Sequence, residues 1–182
     1  AVLVRGAKHE RAVLDSLADA GVPTVVIRSR SVFARPVAEL LVSFLRSLER
    51  PRDVPAWKGL LADDFFRLPS SLLLRFEETG LIDELVERGG IWREELMAGH
   101  LRKVLDSFFR FSVEIAGRAR AEGRDDVAAV LEQPWPRRLL AGREGKRHWT
   151  DWNHLVDLCQ ARQAEGVREP ADLVGWLEAS AD

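Results

Sequence analysis

Apolar residues in the first thirty positions come in three blocks of different rhythm. Ala1 to Val4 is an uninterrupted apolar run that reads as a buried strand. Val13, Leu14, Leu17 and Ala18 then fall at the three- and four-residue spacing that gathers one helical face, and Gly21 supplies a stop. Val22-Pro23 leads into Thr24-Val25-Val26-Ile27, whose β-branched content and Pro boundary predict a second strand. The unit reads β-α-β, and a right-handed crossover makes its strands parallel neighbours. Two strands cannot cover both faces of such a sheet, so the chain is expected to be a piece of a longer protein that holds the remainder.

After a polar turn, Arg28 to Ser31, helical rhythm takes over. Pro36 suits a first helical position, and Val37, Leu40, Leu41, Phe44, Leu45 and Leu48 line one side of a helix predicted over 36–48 and ended by Pro51. Asp53 can cap a short helix with Val54, Trp57, Leu60 and Leu61 inside. Leu72, Leu73 and Phe76 mark a helix over Ser70 to Thr79 closed by Gly80; Leu81, Ile82, Leu85 and Val86 mark another, closed by Gly89-Gly90. Leu101, Val104, Leu105 and Phe108 predict a longer helix near 100–116, and the charged segment Ala119 to Asp126 a surface turn. Val127 to Leu131 adds a helical turn that Pro134-Trp135-Pro136 breaks. A polar loop from Gly142 to His148 precedes a helix from about Asp151 to Ala164, with Thr150 as its cap and Trp152, Leu155, Val156 and Cys159 inside. Pro170 opens a last helix bearing Leu173, Val174, Trp176 and Leu177. The predicted class is mainly α, with about seven or eight helices after the partial β-α-β unit.

Composition narrows the function more than the fold. With 46% hydrophobic and 31% charged residues, the 182-residue chain has the balance of a folding domain, not of a disordered one. Twenty-seven Lys and Arg against 29 Asp and Glu give a net charge of -2, so any nucleic-acid contact must come from a local patch. The single Cys159 excludes an internal disulfide framework and points to a reduced, cytoplasmic compartment. No apolar run approaches the length of a membrane span, so no membrane partner is expected.

Several chemistries lack their residues. GREGK at Gly142 to Lys146 is followed by Arg147 and fails as a P-loop, and Gly6 is alone where dinucleotide binding wants three glycines. His9, His100, His148 and His154 form no ligand spacing, so no metal site is expected. Asp63-Asp64 and Asp125-Asp126 are adjacent pairs, which diverge on a helix and suit caps or solvated surface.

The opening AVLVRGAKHERAVLDSLADAGVPTVVIRSRSVFARPVAELLVSFLRSLERPRD resembles the start of the second RecA-like motor domain, 2A, of UvrD/RecB-type superfamily-1 DNA helicases. GKRHWTDWNHLVDLCQ resembles the Gly-Glu-Arg-x-x-Thr-Asn/Asp-x-x-His-Leu segment of the RecB-like branch, EPADLVGWLEAS the helix after it, and GGIWREEL is also RecB-like. In that family a helical domain, 2B, is inserted within 2A. The resemblance implies a partial RecA-like 2A domain over residues 1–50 and a 2B-like helical domain over residues 51–182. It implies part of an ATP-dependent DNA helicase and exonuclease of double-strand-break repair and recombination, inactive as the fragment alone. ATP and Mg would be cofactors of the parent. Partners would be duplex and single-stranded DNA, the remaining domains of the same chain, and further subunits of a helicase–nuclease complex. AddA-like and UvrD/PcrA-like parents stay open.

Carried over residue by residue, Arg5 falls where the family's arginine reaches the γ-phosphate of the nucleotide, a role suited to an always-cationic guanidinium that can bond two phosphate oxygens. The alternative is a surface arginine at a strand end. The family's duplex-contacting element corresponds to ADDFFRLPSSLLL, which lacks the family's Gly-x-Gly, leaving Arg67, Ser70 and Ser71 as phosphate contacts. Phe65 and Phe66 there suit the core, or base stacking. Arg28, Arg30 and Arg35 bracket a Phe-containing loop and suit either single-stranded DNA or a solvated basic turn. Arg137, Arg138, Arg143, Lys146, Arg147 and His148, followed by Trp149 and Trp152, suit domain packing, DNA or a subunit contact. A reading from a different class is a helical protein-interaction module without DNA binding, anchored by Trp92, Trp135, Trp149 or Trp176.

Overall fold

The computed structural model describes residues 7–22, 31–65, 68, 70–125, 128–129 and 145–181. The chain divides into two units, residues 1–30 and 31–182. In the first, helix α1 runs from Ala7 to Asp19, with Val13 and Leu17 half-buried one turn apart. It ends at Gly21, as the sequence predicts: the Gly21 and Val22 amides fold back onto the carbonyls of Ala18 and Leu17, both at 2.9 Å. The strands expected at Ala1 to Val4 and Thr24 to Ile27 lie outside the described residues.

Every regular element among the described residues of the second unit is a helix. A single 3-10 turn, Val32–Ala34, leads into α2, Pro36–Glu49. Val37, Leu41, Phe44, Leu45 and Leu48 form a fully buried stripe along α2, because their spacing returns them to one side every turn. That stripe is the centre of the core. Helix α2 belongs to the unit of residues 31–182.

Asp53 begins α3, Val54–Gly59, by accepting the Ala56 amide on Oδ1 at 3.2 Å. The helix then widens without a break into one π-helical turn, Leu60–Phe65, a feature that no residue pattern announced. Next come α4, Ser70–Glu78; α5, Leu81–Met97; α6, Leu101–Ala121; α7, Gly145–Ala164; and α8, Pro170–Ala179. Helix α2 packs against α8, α5, α7 and the π-helical turn, with α4 on α5 and α7 on α6.

Three boundaries differ from the sequence reading. Helix α5 does not stop at Gly89-Gly90 but runs on to Met97. Gly89 is buried against the indole of Trp57: a Cβ built there would sit 2.6 Å from Cζ2 of that ring. The glycine clears space for a tryptophan and keeps helical backbone. The helix stops ten residues later at Gly99, whose φ of +92° suits glycine and whose amide reaches the Leu96 carbonyl at 2.8 Å. Helix α6 extends to Ala121, with Ile115, Ala116 and Ala119 buried, so the expected turn from Ala119 narrows to residues 122–124. Helix α7 begins at Gly145, a turn and a half before Asp151, and Thr150 is no cap, since its Oγ1 donates to the Lys146 carbonyl at 2.9 Å from inside the helix. The segment around Pro134-Trp135-Pro136 lies outside the described residues.

Aromatic rings fill the space between these helices. Trp92 meets Phe108 edge-on at 5.5 Å, Phe111 at 5.8 Å and Trp57 at 6.1 Å, while Phe44 lies 5.0 Å from Phe108. Two of the buried indoles bond their N–H inside the core, Trp57 to the Pro51 carbonyl at 2.8 Å and Trp92 to Ser107 Oγ at 3.0 Å. Gln163, 1% exposed, joins three helices: its Nε2 donates to the Leu96 carbonyl at 2.8 Å, and its Oε1 accepts the Leu101 amide at 3.3 Å. One side chain of α7 thus satisfies the end of α5 and the start of α6. Outside, Arg88 and Arg118 each pair with Glu84 and Glu114, closing a four-charge ring across α5 and α6.

Candidate nucleic-acid interface

The start of α7 concentrates cations and an aromatic on the surface. Lys146, Arg147 and Trp149 are exposed, Trp149 to 38%, whereas Trp152, three residues on, is 3% exposed and belongs to the core. The two tryptophans that the sequence reading grouped together therefore have opposite fates. Two lysine or arginine charges in the first turn oppose the helix dipole and do nothing for the stability of α7. Lys146, three residues before Trp149, lies on the same side of the helix as the ring, while Arg147 projects from another side.

The next turn of α7 carries Asp151, which faces Arg35. Arg35 Nε and Asp151 Oδ2 lie 4.0 Å apart, with side chains 17% and 20% exposed, and neither atom has a hydrogen-bond partner among the described residues. Arg35 is thus engaged by a carboxylate in its own unit. Beside it, Phe33 packs edge-on against Trp176 at 5.2 Å, and the Arg162 guanidinium lies 5.4 Å from the Trp176 ring centre.

Of the other residues singled out in the sequence, Ser70 is exposed as the first residue of α4. Arg5, Arg28, Arg30 and Arg67 lie outside the described residues. No hydrogen bond or ion pair among the described residues joins Ser70 to Arg35. Among the proposed protein-binding anchors, Trp92 is buried and Trp176 half-buried, so Trp149 is the one exposed among those described.

The remaining reactive groups are structural. Burial pushes the Cys159 thiol up to about 12, so it is neither nucleophile nor ligand near neutral pH. The hydrogen bond from Arg118, reinforced by the charges of Arg118 and Arg88, holds the Glu84 carboxyl below its ordinary value. Among the described residues no three His, Cys, Asp or Glu side chains gather as a metal site, and no helix is long and apolar enough to cross a membrane. A cavity of about 30 Å³ between the π-helical turn, α4, α5 and α6 is lined by Leu61, Phe76, Ile82, Leu85, Phe111 and Ile115. Its walls are apolar apart from Ser112, whose hydroxyl is already spent on the Phe109 carbonyl at 2.8 Å. What the described surface can do chemically is attract phosphate with Lys146 and Arg147 and stack a base on Trp149.

No protein-family model and no curated protein matches this chain.

Proposed function

We propose that the chain is part of an ATP-dependent DNA helicase of the UvrD/RecB type, acting with an exonuclease activity in double-strand-break repair, and that its helical unit is the 2B-like element that engages DNA. The observation that carries DNA engagement is the exposure of Lys146, Arg147 and Trp149 together on the first turns of α7. The sequence resemblance carries the helicase class. In this reading Arg5 contacts the γ-phosphate of Mg-bound ATP held by another domain of the parent, and Arg28, Arg30, Arg67 and Ser70 add contacts to DNA. Arg35, engaged with Asp151, contributes less than the others.

The test is fluorescence anisotropy of a duplex with a single-stranded tail. Trp149→Ala is expected to weaken binding about tenfold or more, the worth of one stacked base. Lys146→Glu with Arg147→Glu is expected to abolish it at moderate salt. Tight binding unchanged by all three substitutions would remove α7 from the interface. Trp149 with the exposed Leu74 and Ile91 favours a second reading, a helical protein-interaction module. The two separate on salt, because released counterions make only the nucleic-acid complex strongly salt-dependent.

A further inference from the structure

On the outer side of α7 a ring and a charge both stand without the partners their counterparts have elsewhere. Trp57 and Trp92 bond their indole N–H in the core, whereas Nε1 of Trp149 has no partner among the described residues and the residue is 38% exposed. Arg46, Arg93 and Arg102 each end on a carboxylate, of Glu178, Glu169 and Asp157; Lys146 ends on none among the described residues. At 3.6 residues per turn, Lys146, Trp149 and Asn153 fall within about 60° of one another around the helix and span about 10 Å along it.

Asn153 completes this stripe. Its Nδ2 donates to the Trp149 carbonyl at 2.9 Å, which fixes the amide one turn beyond the ring. Its Oδ1 and one amide hydrogen stay unengaged among the described residues. Cation, ring and amide thus follow one another in the order phosphate, base face, base edge. A ring on a helix surface stacks only on a base whose face is uncovered. Inside a duplex both faces of a base are covered by its neighbours and must be exposed at a cost; in a single strand they are open from the start. Trp149 is covered over more than half of its surface, so it forms a platform on the helix and not a wedge that enters stacked pairs. Arg147 projects from another side of α7 and can meet a phosphate whether or not the strand is paired.

We propose that the stripe of Lys146, Trp149 and Asn153 is a subsite for one unpaired nucleotide of single-stranded DNA, and that it directs the helical unit to the junction of single strand and duplex in preference to blunt duplex. Lys146 takes the phosphate, Trp149 the base face and Asn153 the base edge. The proposal rests on the reading of the α7 surface as a DNA contact and adds that the DNA held there is unpaired. Every base has a face to stack, so the subsite discriminates pairing state more than sequence.

Fluorescence anisotropy with the whole chain at low salt tests this on ligands of one sequence: a blunt duplex, a single strand, a tailed duplex, and the same duplex with an abasic tail that keeps the phosphates and lacks the bases. The wild type is expected to bind the tailed duplex about tenfold more tightly than the blunt one, and to lose most of that preference on the abasic tail. Trp149→Ala should weaken binding of the single strand and the tailed duplex about tenfold while changing the blunt and abasic ligands less than about twofold. Trp149→Phe, which keeps a ring face, should recover most of the loss. Arg147→Glu should weaken all the ligands together. Equal wild-type affinity for base-bearing and abasic tails, or an equal loss on blunt duplex in Trp149→Ala, would overturn the subsite and leave the DNA reading standing. Absence of binding to every ligand would bring down the DNA reading and the subsite with it.

Discussion

Gly89 and Trp57 fit against each other with no room for a methyl group: the Cβ that any other residue would bring to position 89 falls 2.6 Å from Cζ2 of the indole and 3.3 Å from Cβ of Pro51. Gly90, one residue on in the same helix, meets nothing within 4 Å. Neighbouring glycines of one dipeptide thus answer different constraints.

The two should respond to alanine with opposite signs. Gly89→Ala forces the tryptophan aside and is expected to cost about 1–3 kcal/mol by overpacking. Gly90→Ala, in a helix interior with open space, should gain about 0.5–1 kcal/mol. Urea unfolding of the two variants checks this, and equal destabilisation would contradict the packing described.

Gln163 should be among the least replaceable polar residues. Gln163→Leu keeps the volume but leaves the Leu96 carbonyl and the Leu101 amide buried without a partner, for an expected loss of about 2–4 kcal/mol. Gln163→Glu keeps the acceptor for Leu101 and loses the donor to Leu96, so its deficit should shrink in acid, where the carboxyl regains a proton. Denaturant melts at pH 7 and pH 4 distinguish the two.

The ring of Arg88, Glu84, Arg118 and Glu114 gives a small pH signature. Glu84 titrates below the ordinary carboxylate value of 4.5 chiefly because Arg118 bonds its charged form. The stabilisation is therefore complete above that value and is lost as pH falls through the lower, folded-state value. Arg118→Gln should cost at most about 1 kcal/mol at pH 7, given how exposed these side chains are, and progressively less as the pH falls below 4.5. A difference that grows in acid would have the wrong sign.

Cys159 should be silent toward thiol reagents at pH 8 in the folded protein, since burial holds the thiol protonated and covered. Labelling would then track global unfolding and accelerate with urea. Rapid labelling without denaturant would contradict the burial.

Much of the helical architecture was legible because its signals are local. The stripe of α2, the Asp53 cap, the Gly21 stop and the Pro170 start each lie within a few residues of the element they define. The errors came where distant contacts decide. Gly89-Gly90 reads locally as a stop, and only Trp57, far back in the chain, shows why α5 continues. Arg118 and Arg120 made the end of α6 look like a turn, although Ala119 between them is buried. Trp149 lies seven residues before buried Val156 and so continues its stripe, yet it stands where packing has ended and remains exposed. Gln163 did leave a signal: a polar residue on the stripe of Trp152, Val156 and Cys159 must be buried, and so must be bonded.

The most direct measurement is the salt dependence of wild-type binding to a tailed duplex, repeated with Lys146→Glu and Arg147→Glu together. Two phosphate contacts predict a slope of log affinity against log salt of about −1.4 to −1.8 from these residues, lost in the double substitution. An unchanged slope, or no binding at low salt, would contradict the assignment of the α7 surface to DNA.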